Sequence, residues 1–169
     1  LLKRDISRYS IDITWMTSPL FNRVSLADVG VFRGLKYLLV GGDVVSPYYV
    51  GKVRECFPGL TIINGYGPTE NTTFSTTYTV TGDVGQSIPI GKPVSNSTAV
   101  IVNGDGQVQP IGIPGELWVG GDGVADGYLN GPEMTAVFFL DTDKHRLPAQ
   151  IDTDKEFFLE KKNLCKSVM

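Results

Sequence analysis

The sequence predicts an α/β fold, in which a partial parallel α/β sheet is followed by a small antiparallel, β-barrel-like region. Short apolar runs alternate with segments of helical periodicity in the first half, and glycine-rich turns follow the apolar runs. After about residue 75, short β-rich runs are separated by turn residues. The predicted domains are a partial α/β subdomain at 1–80, a β-rich subdomain at 81–140 and a divergent, charged tail at 141–169 that we expect to be disordered or loosely docked.

The first predicted strand covers residues 11–16, where apolar and polar residues alternate. A helix is predicted over 19–24, because Ser18 suits the N-cap and Pro19 the first helical turn. The near-continuous apolar run at 35–40, which lies between glycines, predicts a buried parallel strand.

Ser46 and Pro47 predict the start of a second helix. Its apolar residues lie at helical spacing on one face: Tyr49, Val50, Val53 and Phe57. Pro58 and Gly59 end this helix, and the apolar run at 60–63 predicts a third buried strand.

Further strands are predicted at 74–80, 99–102 and 115–120. Between the last two, residues 103–106 read Asn-Gly-Asp-Gly, which is typical of a hairpin turn with positive φ angles. A helix is predicted at 132–139, and none between residue 75 and that helix. The pattern favours an antiparallel sheet or a small barrel, with the boundary to the first part near 78–86.

The composition is that of an ordinary water-soluble domain, with 169 residues, 41% hydrophobic and 20% charged. A net charge of −3 argues against a nucleic-acid surface, and no apolar run reaches the roughly 18 residues of a membrane span. The N-terminus does not resemble a signal peptide, so we expect a cytoplasmic protein with Cys56 and Cys165 as free thiols. His145 is the only histidine, and no catalytic triad is credible around it.

The run Asn-Gly-Tyr-Gly-Pro-Thr-Glu at 64–70 contains the groups that hold a nucleotide phosphate. Its two glycines let backbone N–H groups approach an anion closely. Thr69 supplies a hydroxyl donor, Glu70 a carboxylate for Mg²⁺, and Tyr66 a flat face for a purine ring. This run and the Gly-Gly-Asp turn at 41–43 both follow predicted parallel strands. Ligands bind at the carboxyl ends of such strands, so we expect a single site there.

Four motifs occur in one order along the chain. They read Leu-Leu-Val-Gly-Gly-Asp at 38–43, Thr-Ile-Ile-Asn-Gly-Tyr-Gly-Pro-Thr-Glu-Asn-Thr-Thr at 61–73, Gly-Glu-Leu-Trp-Val-Gly-Gly-Asp-Gly-Val-Ala-Asp-Gly-Tyr-Leu-Asn at 115–130, and Pro-Glu-Met-Thr-Ala at 132–136. Over roughly residues 9–140 the chain resembles the adenylation domains of nonribosomal peptide synthetases, within the adenylate-forming (AMP-binding) superfamily. The resemblance covers part of the large N-terminal core of such a domain.

The resemblance implies an enzyme that activates a carboxylate with ATP. The amino acid attacks the α-phosphate, giving an aminoacyl-adenylate and pyrophosphate, and the phosphopantetheine thiol of a carrier domain then takes the acyl group. The implied cofactors are ATP and Mg²⁺. The implied partners are an amino acid and the peptidyl carrier and condensation domains of a synthetase, with no nucleic acid and no membrane.

By the same resemblance, Thr69 and Glu70 are the catalytic pair, with Thr69 at the α-phosphate and Glu70 on Mg²⁺. The implied nucleotide-binding residues are Gly42, Asp43, Asn64, Gly65, Tyr66, Gly67 and Thr69. The implied amino-acid pocket draws on Leu39, Gly41, Gly65, Thr73 and Phe74, with a further position near Met16 or Thr17. Leu39 and Phe74 favour an apolar or uncharged side chain.

Some elements of the family are not found in the chain. The phosphate loop is expected upstream, and the ribose aspartate and the lid with its catalytic lysine downstream; Asp126 also replaces the usual arginine. We therefore expect a core fragment that is inactive alone, whether it comes from a truncated or a frameshifted gene. Two alternatives stay open: a non-catalytic remnant that binds a nucleotide or docks to a synthetase, and a fragment of an acyl-CoA or aryl-acid ligase. Pro68 and the Gly-Tyr-Leu-Asn run favour the peptide-synthetase branch.

Overall fold

The structure is a computed structural model and describes residues 1–139. The predicted tail at 141–169, with His145 and Cys165, lies outside the described residues, while Cys56 is an exposed free thiol. The chain forms two compact units. The first comprises residues 1–66 and 77–91, and the second comprises 67–76 and the described residues from 92 onward. The domain boundaries expected from the sequence stay a prediction.

The first unit is an α/β layer built on a sheet with the strand order β1-β2-β3-β4. Neighbouring strands among β1, β2 and β3 are parallel, as predicted. The elements of the unit are α1 (Leu2–Arg8), β1 (Ile13–Thr17), α2 (Ser18–Ala27), a 3-10 turn (Val29–Phe32), β2 (Tyr37–Gly41), α3 (Pro47–Cys56), β3 (Thr61–Tyr66) and β4 (Thr76–Thr79). Helix α1 was not predicted; it buries a single residue, Ile6, which leaves little apolar periodicity to detect.

The parallel strands bury one face. Side chains alternate along each strand, and one face carries the buried residues Met16, Leu38, Val40 and Ile62. These residues share a core with Phe21 of α2 and with Val50 and Val53 of α3. On the opposite face Ile13 is 57% exposed and Tyr37 is 44% exposed. The strands are therefore less completely buried than their apolar sequence predicts.

Helices α2 and α3, each with a proline in the first turn, begin differently. Helix α3 begins at Pro47, with Ser46 at its N-cap position, as predicted. Helix α2 begins one residue earlier than predicted, and Thr17 is its N-cap residue. Ser18 is the first helical residue instead, and its buried hydroxyl donates to the backbone carbonyls of Gly41 and Asp43.

The second unit contains an antiparallel strand pair. Its elements are a 3-10 turn (Thr69–Asn71), β5 (Lys92–Pro93), β6 (Ser97–Val102), β7 (Glu116–Gly121) and α4 (Pro132–Phe138). Strand β6 pairs with β7 from Ser97↔Gly121 to Val102↔Glu116, and Val100, Val102 and Leu117 are buried. The two strands form an antiparallel sheet, and the described residues contain no closed barrel.

The turn at 103–106 is present as predicted. The side-chain oxygen of Asn103 accepts hydrogen bonds from the backbone N–H groups of Asp105 and Gln107, and Gly106 has φ of 74°. The chain returns to a bridge between Val102 and Val108, so the turn leads back along β6 before the chain reaches β7. In residues 1–139 we find no helix that is long and apolar enough to cross a membrane.

Candidate functional site

Residues 64–66, which begin the Asn-Gly-Tyr-Gly-Pro-Thr-Glu run, lie inside strand β3. The sequence predicted that this run leaves the strand after residue 63, which is wrong, because β3 continues to Tyr66. The pairing with β2 extends to the last register partners, Gly41 and Gly65. Backbone hydrogen bonding between the two strands therefore holds residues whose own β propensity is low.

Gly41 and Gly65 are buried residues on the face of the sheet opposite to Val40. They are direct neighbours in the register, and Thr17 of β1 is the partner of Gly41 on the other side. Leu39 lies two residues before Gly41 on the same face, since side chains alternate along a strand. Three of the predicted pocket residues are thus brought to one face at the carboxyl ends of adjacent strands.

Asn64 lies on the opposite face of the sheet from Gly65 and is 5% exposed. Its side-chain Nδ2 donates to the carbonyl oxygen of Pro89 at 2.8 Å. The donor half of the amide thus holds the chain segment that precedes Gly91. The side-chain carbonyl oxygen of Asn64 is a hydrogen-bond acceptor, which is what a ligand amine requires.

The turn after β2 is shaped by Gly42 and by Ser18. Gly42 has φ of 75°, a backbone conformation that favours glycine. The Ser18 hydroxyl donates to the carbonyl oxygens of Asp43 at 2.9 Å and of Gly41 at 3.4 Å. The carboxylate of Asp43 accepts from the backbone N–H of Val44 at 2.6 Å. Sequence reasoning missed this role of Ser18, because a serine before a proline is equally typical of a helix cap.

In the second unit, residues 67–75 form a loop that is braced across itself. A Cβ atom on Gly67 would lie 2.6 Å from the backbone nitrogen of Ser75 and 2.7 Å from the carbonyl oxygen of Thr73, so only glycine fits there. The buried Asn71 side chain donates to the Ser75 hydroxyl at 2.7 Å. Thr69 and Thr73 are exposed on this loop, and Phe74 is half-buried.

Glu70 uses its two carboxylate oxygens differently. Oε1 accepts a hydrogen bond from the Tyr128 hydroxyl. Oε2 is buried and has no hydrogen-bond partner among the described residues. A buried carboxylate oxygen without a partner is costly, and a divalent cation is a partner that satisfies it.

The donor set around Glu70 fits Mg²⁺ bound together with phosphate. Residues 1–139 contain no group of three or more histidine, cysteine, aspartate or glutamate side chains that could hold a metal ion alone. Mg²⁺ in nucleotide sites takes one or two carboxylates from the protein and completes its shell with phosphate oxygens and water. One carboxylate with a buried, unpaired oxygen is compatible with that mode of binding.

Sequence reasoning also missed the contacts made by residues 123–128. The Thr72 hydroxyl donates to the carbonyl oxygen of Gly123 at 2.7 Å, and the backbone N–H of Ala125 donates to the carbonyl oxygen of Glu70 at 2.9 Å. Tyr128 lies in the motif at 115–130, so the sequence showed that its segment is part of a motif. Its contact with a residue 58 positions earlier was not visible.

The first unit is a parallel α/β sheet with glycines at its strand ends, an arrangement that is typical of nucleotide-binding α/β proteins. The family described as AMP-binding enzyme matches residues 1–129. The chain belongs to this family. The resemblance predicted from the sequence is confirmed.

The relatives are nonribosomal peptide synthetases. The chain is 55% identical over 130 residues to tyrocidine synthase 3 from Brevibacillus parabrevis, covering 77% of this chain and 2% of that protein. It is 54% identical over 132 residues to surfactin synthase subunit 2 from Bacillus subtilis (strain 168), covering 78% of this chain and 4% of that protein. The chain thus spans a small part of the length of the relatives that it matches.

Solved structures of adenylation domains share the fold. PA1221, an NRPS protein containing adenylation and PCP domains, matches with a TM-score of 0.75 and 37% identity, covering 80% of this chain and 28% of that one. The N-terminal subdomain of Klebsiella oxytoca NpsA, in complex with 3-hydroxybenzoyl-AMSN, matches with a TM-score of 0.74 and 29% identity, covering 80% and 34%. The chain therefore corresponds to a fragment of such a domain.

Proposed function

We propose that this chain is the central part of an amino-acid adenylating domain, in which it supplies the contacts to the α-phosphate and the cation of ATP. The observation that carries the proposal is Glu70, whose buried carboxylate oxygen Oε2 lacks a hydrogen-bond partner on a loop that Asn71 and Thr72 brace through their own side chains. Thr69 is the residue before it and exposes a hydroxyl. A donor and an anionic ligand at adjacent positions are what a phosphate with its cation requires.

The chain's own residues have distinct roles in this proposal. Thr69 donates to an oxygen of the α-phosphate, and Glu70 orients the cation through Oε2. The side-chain carbonyl oxygen of Asn64 accepts a hydrogen bond from the adenine amine, and the ring of Tyr66 packs against the base. Gly42 and Asp43 line the other side of the adenine. Mg²⁺, when bound, neutralises the charge that develops on the phosphate oxygens.

The proposed amino-acid pocket has small residues at its base. Neither Gly41 nor Gly65 places a side chain on the sheet face, and Leu39 supplies an apolar wall. Thr73 and Phe74 are the remaining proposed residues of the amino-acid pocket. Gly67 is the remaining proposed residue of the nucleotide site. An apolar or uncharged amino-acid side chain suits this pocket, because the pocket residues carry no charge that could pair with a charged side chain.

The proposed partners follow from the relatives. PA1221 contains adenylation and PCP domains, and its holo form was solved with a vinylsulfonamide inhibitor. We infer that the activated amino acid passes to a phosphopantetheine thiol on a carrier domain, and that a condensation domain uses it next, in the cytoplasm. The 55% identity to tyrocidine synthase 3, against 29% to NpsA solved with 3-hydroxybenzoyl-AMSN, favours an amino acid over an aryl acid.

A binding experiment on the 169-residue chain tests the role of Glu70. The apparent Kd of ATP is measured by saturation-transfer NMR with excess Mg²⁺ and with EDTA, for the wild type and for Glu70→Ala. We expect Mg²⁺ to tighten ATP binding in the wild type, and this gain to be lost in Glu70→Ala with no change in EDTA. The matched control is Glu55→Ala, which removes an exposed carboxylate from α3. An equal Mg²⁺-dependent gain in wild type and Glu70→Ala would contradict the proposed role.

The same chain should not catalyse adenylation alone. The resemblance assigns the phosphate loop, the ribose aspartate and the lid lysine to other segments of the domain, and the loss of several such contacts leaves little catalysis. Amino-acid-dependent exchange of pyrophosphate into ATP should not exceed that of Glu70→Ala.

A further inference from the structure

The carboxylate of Glu70 is held from one side by Tyr128. The phenol hydroxyl donates to Oε1, and Oε2 is the buried oxygen that has no hydrogen-bond partner among the described residues. The last torsion angle of a glutamate is broad, so a free carboxylate samples many orientations. A donor fixed on one oxygen selects the orientation of the other.

Tyr128 is itself anchored to the start of α4. Its backbone N–H donates to the Thr135 hydroxyl oxygen at 2.9 Å, and that hydroxyl donates to the carbonyl oxygen of Gly131 at 2.9 Å. The Tyr128 ring makes edge contacts with Phe138 and Phe139, with ring centroids 5.9 Å and 5.8 Å apart. Backbone and ring thus fix where the phenol oxygen lies, before Glu70 is considered.

The backbone next to Glu70 is held by the same segment. Ala125 donates its N–H to the carbonyl oxygen of Glu70, and Thr72 donates its hydroxyl to the carbonyl oxygen of Gly123. The main chain of the 3-10 turn is therefore already positioned without the phenol. The Tyr128 hydroxyl adds control over the carboxylate alone, which makes its contribution separable by mutation.

We propose that Tyr128 is a positioning residue for Glu70. Its hydroxyl occupies Oε1 and leaves Oε2 as the single oxygen presented to the divalent cation of bound ATP. The inference rests on the proposed function of this loop. Groups that orient a metal-binding carboxylate by hydrogen bonding typically contribute ten- to a hundredfold to metal affinity.

The test is the Tyr128→Phe variant of the full 169-residue chain. Phenylalanine keeps the ring and its aromatic contacts and removes only the hydroxyl that Oε1 accepts from. The apparent Kd of ATP is measured with Mg²⁺ and with EDTA. We expect Tyr128→Phe to lose most of the Mg²⁺-dependent gain in ATP affinity, so that its apparent Kd in Mg²⁺ is about tenfold higher than that of the wild type. In EDTA the two proteins should have the same apparent Kd. Tyr48→Phe removes the same hydroxyl from an exposed tyrosine of α3 and should match the wild type throughout.

A double variant separates positioning from a general structural effect. In a Glu70→Ala background the carboxylate and the oxygen that accepts from Tyr128 are both gone, so adding Tyr128→Phe should change the Mg²⁺-dependent gain no further. The melting temperatures of the two single variants and the double variant should be non-additive, since the two side chains contact each other.

The outcomes are distinguishable. If the wild type shows a Mg²⁺-dependent gain and Tyr128→Phe keeps it in full, the positioning role is overturned while the proposed function stands. If the wild type shows no gain, the proposed function of the loop fails and the positioning role fails with it. If the melting temperatures are strictly additive, the hydrogen bond itself is absent and the inference is overturned on that ground.

Discussion

At the scale of single residues, Gly67 has no room for a side chain. A Cβ atom there would meet the backbone of the same loop at Thr73, Phe74 and Ser75, at distances of 2.6 to 2.9 Å. The sequence suggested that this glycine lets an anion approach the backbone. The structure adds a second reason, since the glycine lets the loop close on itself.

Replacing Gly67 by alanine should therefore destabilise the chain. The contacts are to backbone atoms, which cannot rotate away, so we expect a loss of about 1–3 kcal/mol in the free energy of unfolding. Urea denaturation followed by circular dichroism measures it. Gly59→Ala is the matched control, because no atom lies within 4 Å of a Cβ at Gly59. Equal urea midpoints for the two variants would show that the loop is looser than the structure indicates.

Asn64 and Tyr128 show what sequence reasoning can and cannot reach for single side chains. Both lie in motifs through which the sequence resembles the AMP-binding family, so the importance of the segments was predictable. The partner of each lies far along the chain: Pro89 is 25 positions from Asn64, and Glu70 is 58 positions from Tyr128. Periodicity and spacing rules reach only a few residues, so neither contact could be predicted.

At the scale of elements, the order of strands and helices in the first unit follows from the sequence. Apolar periodicity predicted α3 and its buried face, and Val50 and Val53 are fully buried there. The end of β3 was misplaced, because Asn64 and Gly65 have low β propensity. Pairing of Gly41 with Gly65 extends the strand, and such tertiary pairing is not encoded in the local sequence.

Thr135 ties the start of α4 to the chain before it. Its hydroxyl accepts from the backbone of Tyr128 and donates to that of Gly131. Gly127 accommodates this contact, since a Cβ atom there would lie 2.6 Å from the Thr135 side chain. The hydroxyl is thus the link between the helix and the motif that carries Tyr128.

Thr135→Val should destabilise the chain by about 1–3 kcal/mol, because valine keeps the shape of the side chain and leaves the backbone N–H of Tyr128 without the hydroxyl oxygen that accepts from it. Thr135→Ser keeps the hydroxyl and should lose less. Thermal unfolding monitored by circular dichroism compares the three proteins. A valine variant that melts at or above the temperature of the serine variant would contradict the role assigned to the hydroxyl.

At the scale of the whole molecule, the chain has the fold of part of an adenylation domain. The match to PA1221 covers 80% of this chain and 28% of that structure. The sequence predicted the parallel sheet and an antiparallel region after it. It did not decide between a sheet and a barrel, because closure of a barrel depends on strand pairing that local patterns do not specify.

The central claim is that this segment is a working part of an amino-acid adenylating domain. It is tested most directly by a hybrid in which residues 1–129 replace the corresponding segment in the adenylation domain of tyrocidine synthase 3 that they match. The hybrid and its Glu70→Ala variant are assayed for exchange of pyrophosphate into ATP with each of the common amino acids. We predict amino-acid-dependent exchange by the hybrid, and a loss of about two to three orders of magnitude in Glu70→Ala. A hybrid that folds and melts cooperatively, yet exchanges no faster than its Glu70→Ala variant with any amino acid, would contradict the claim.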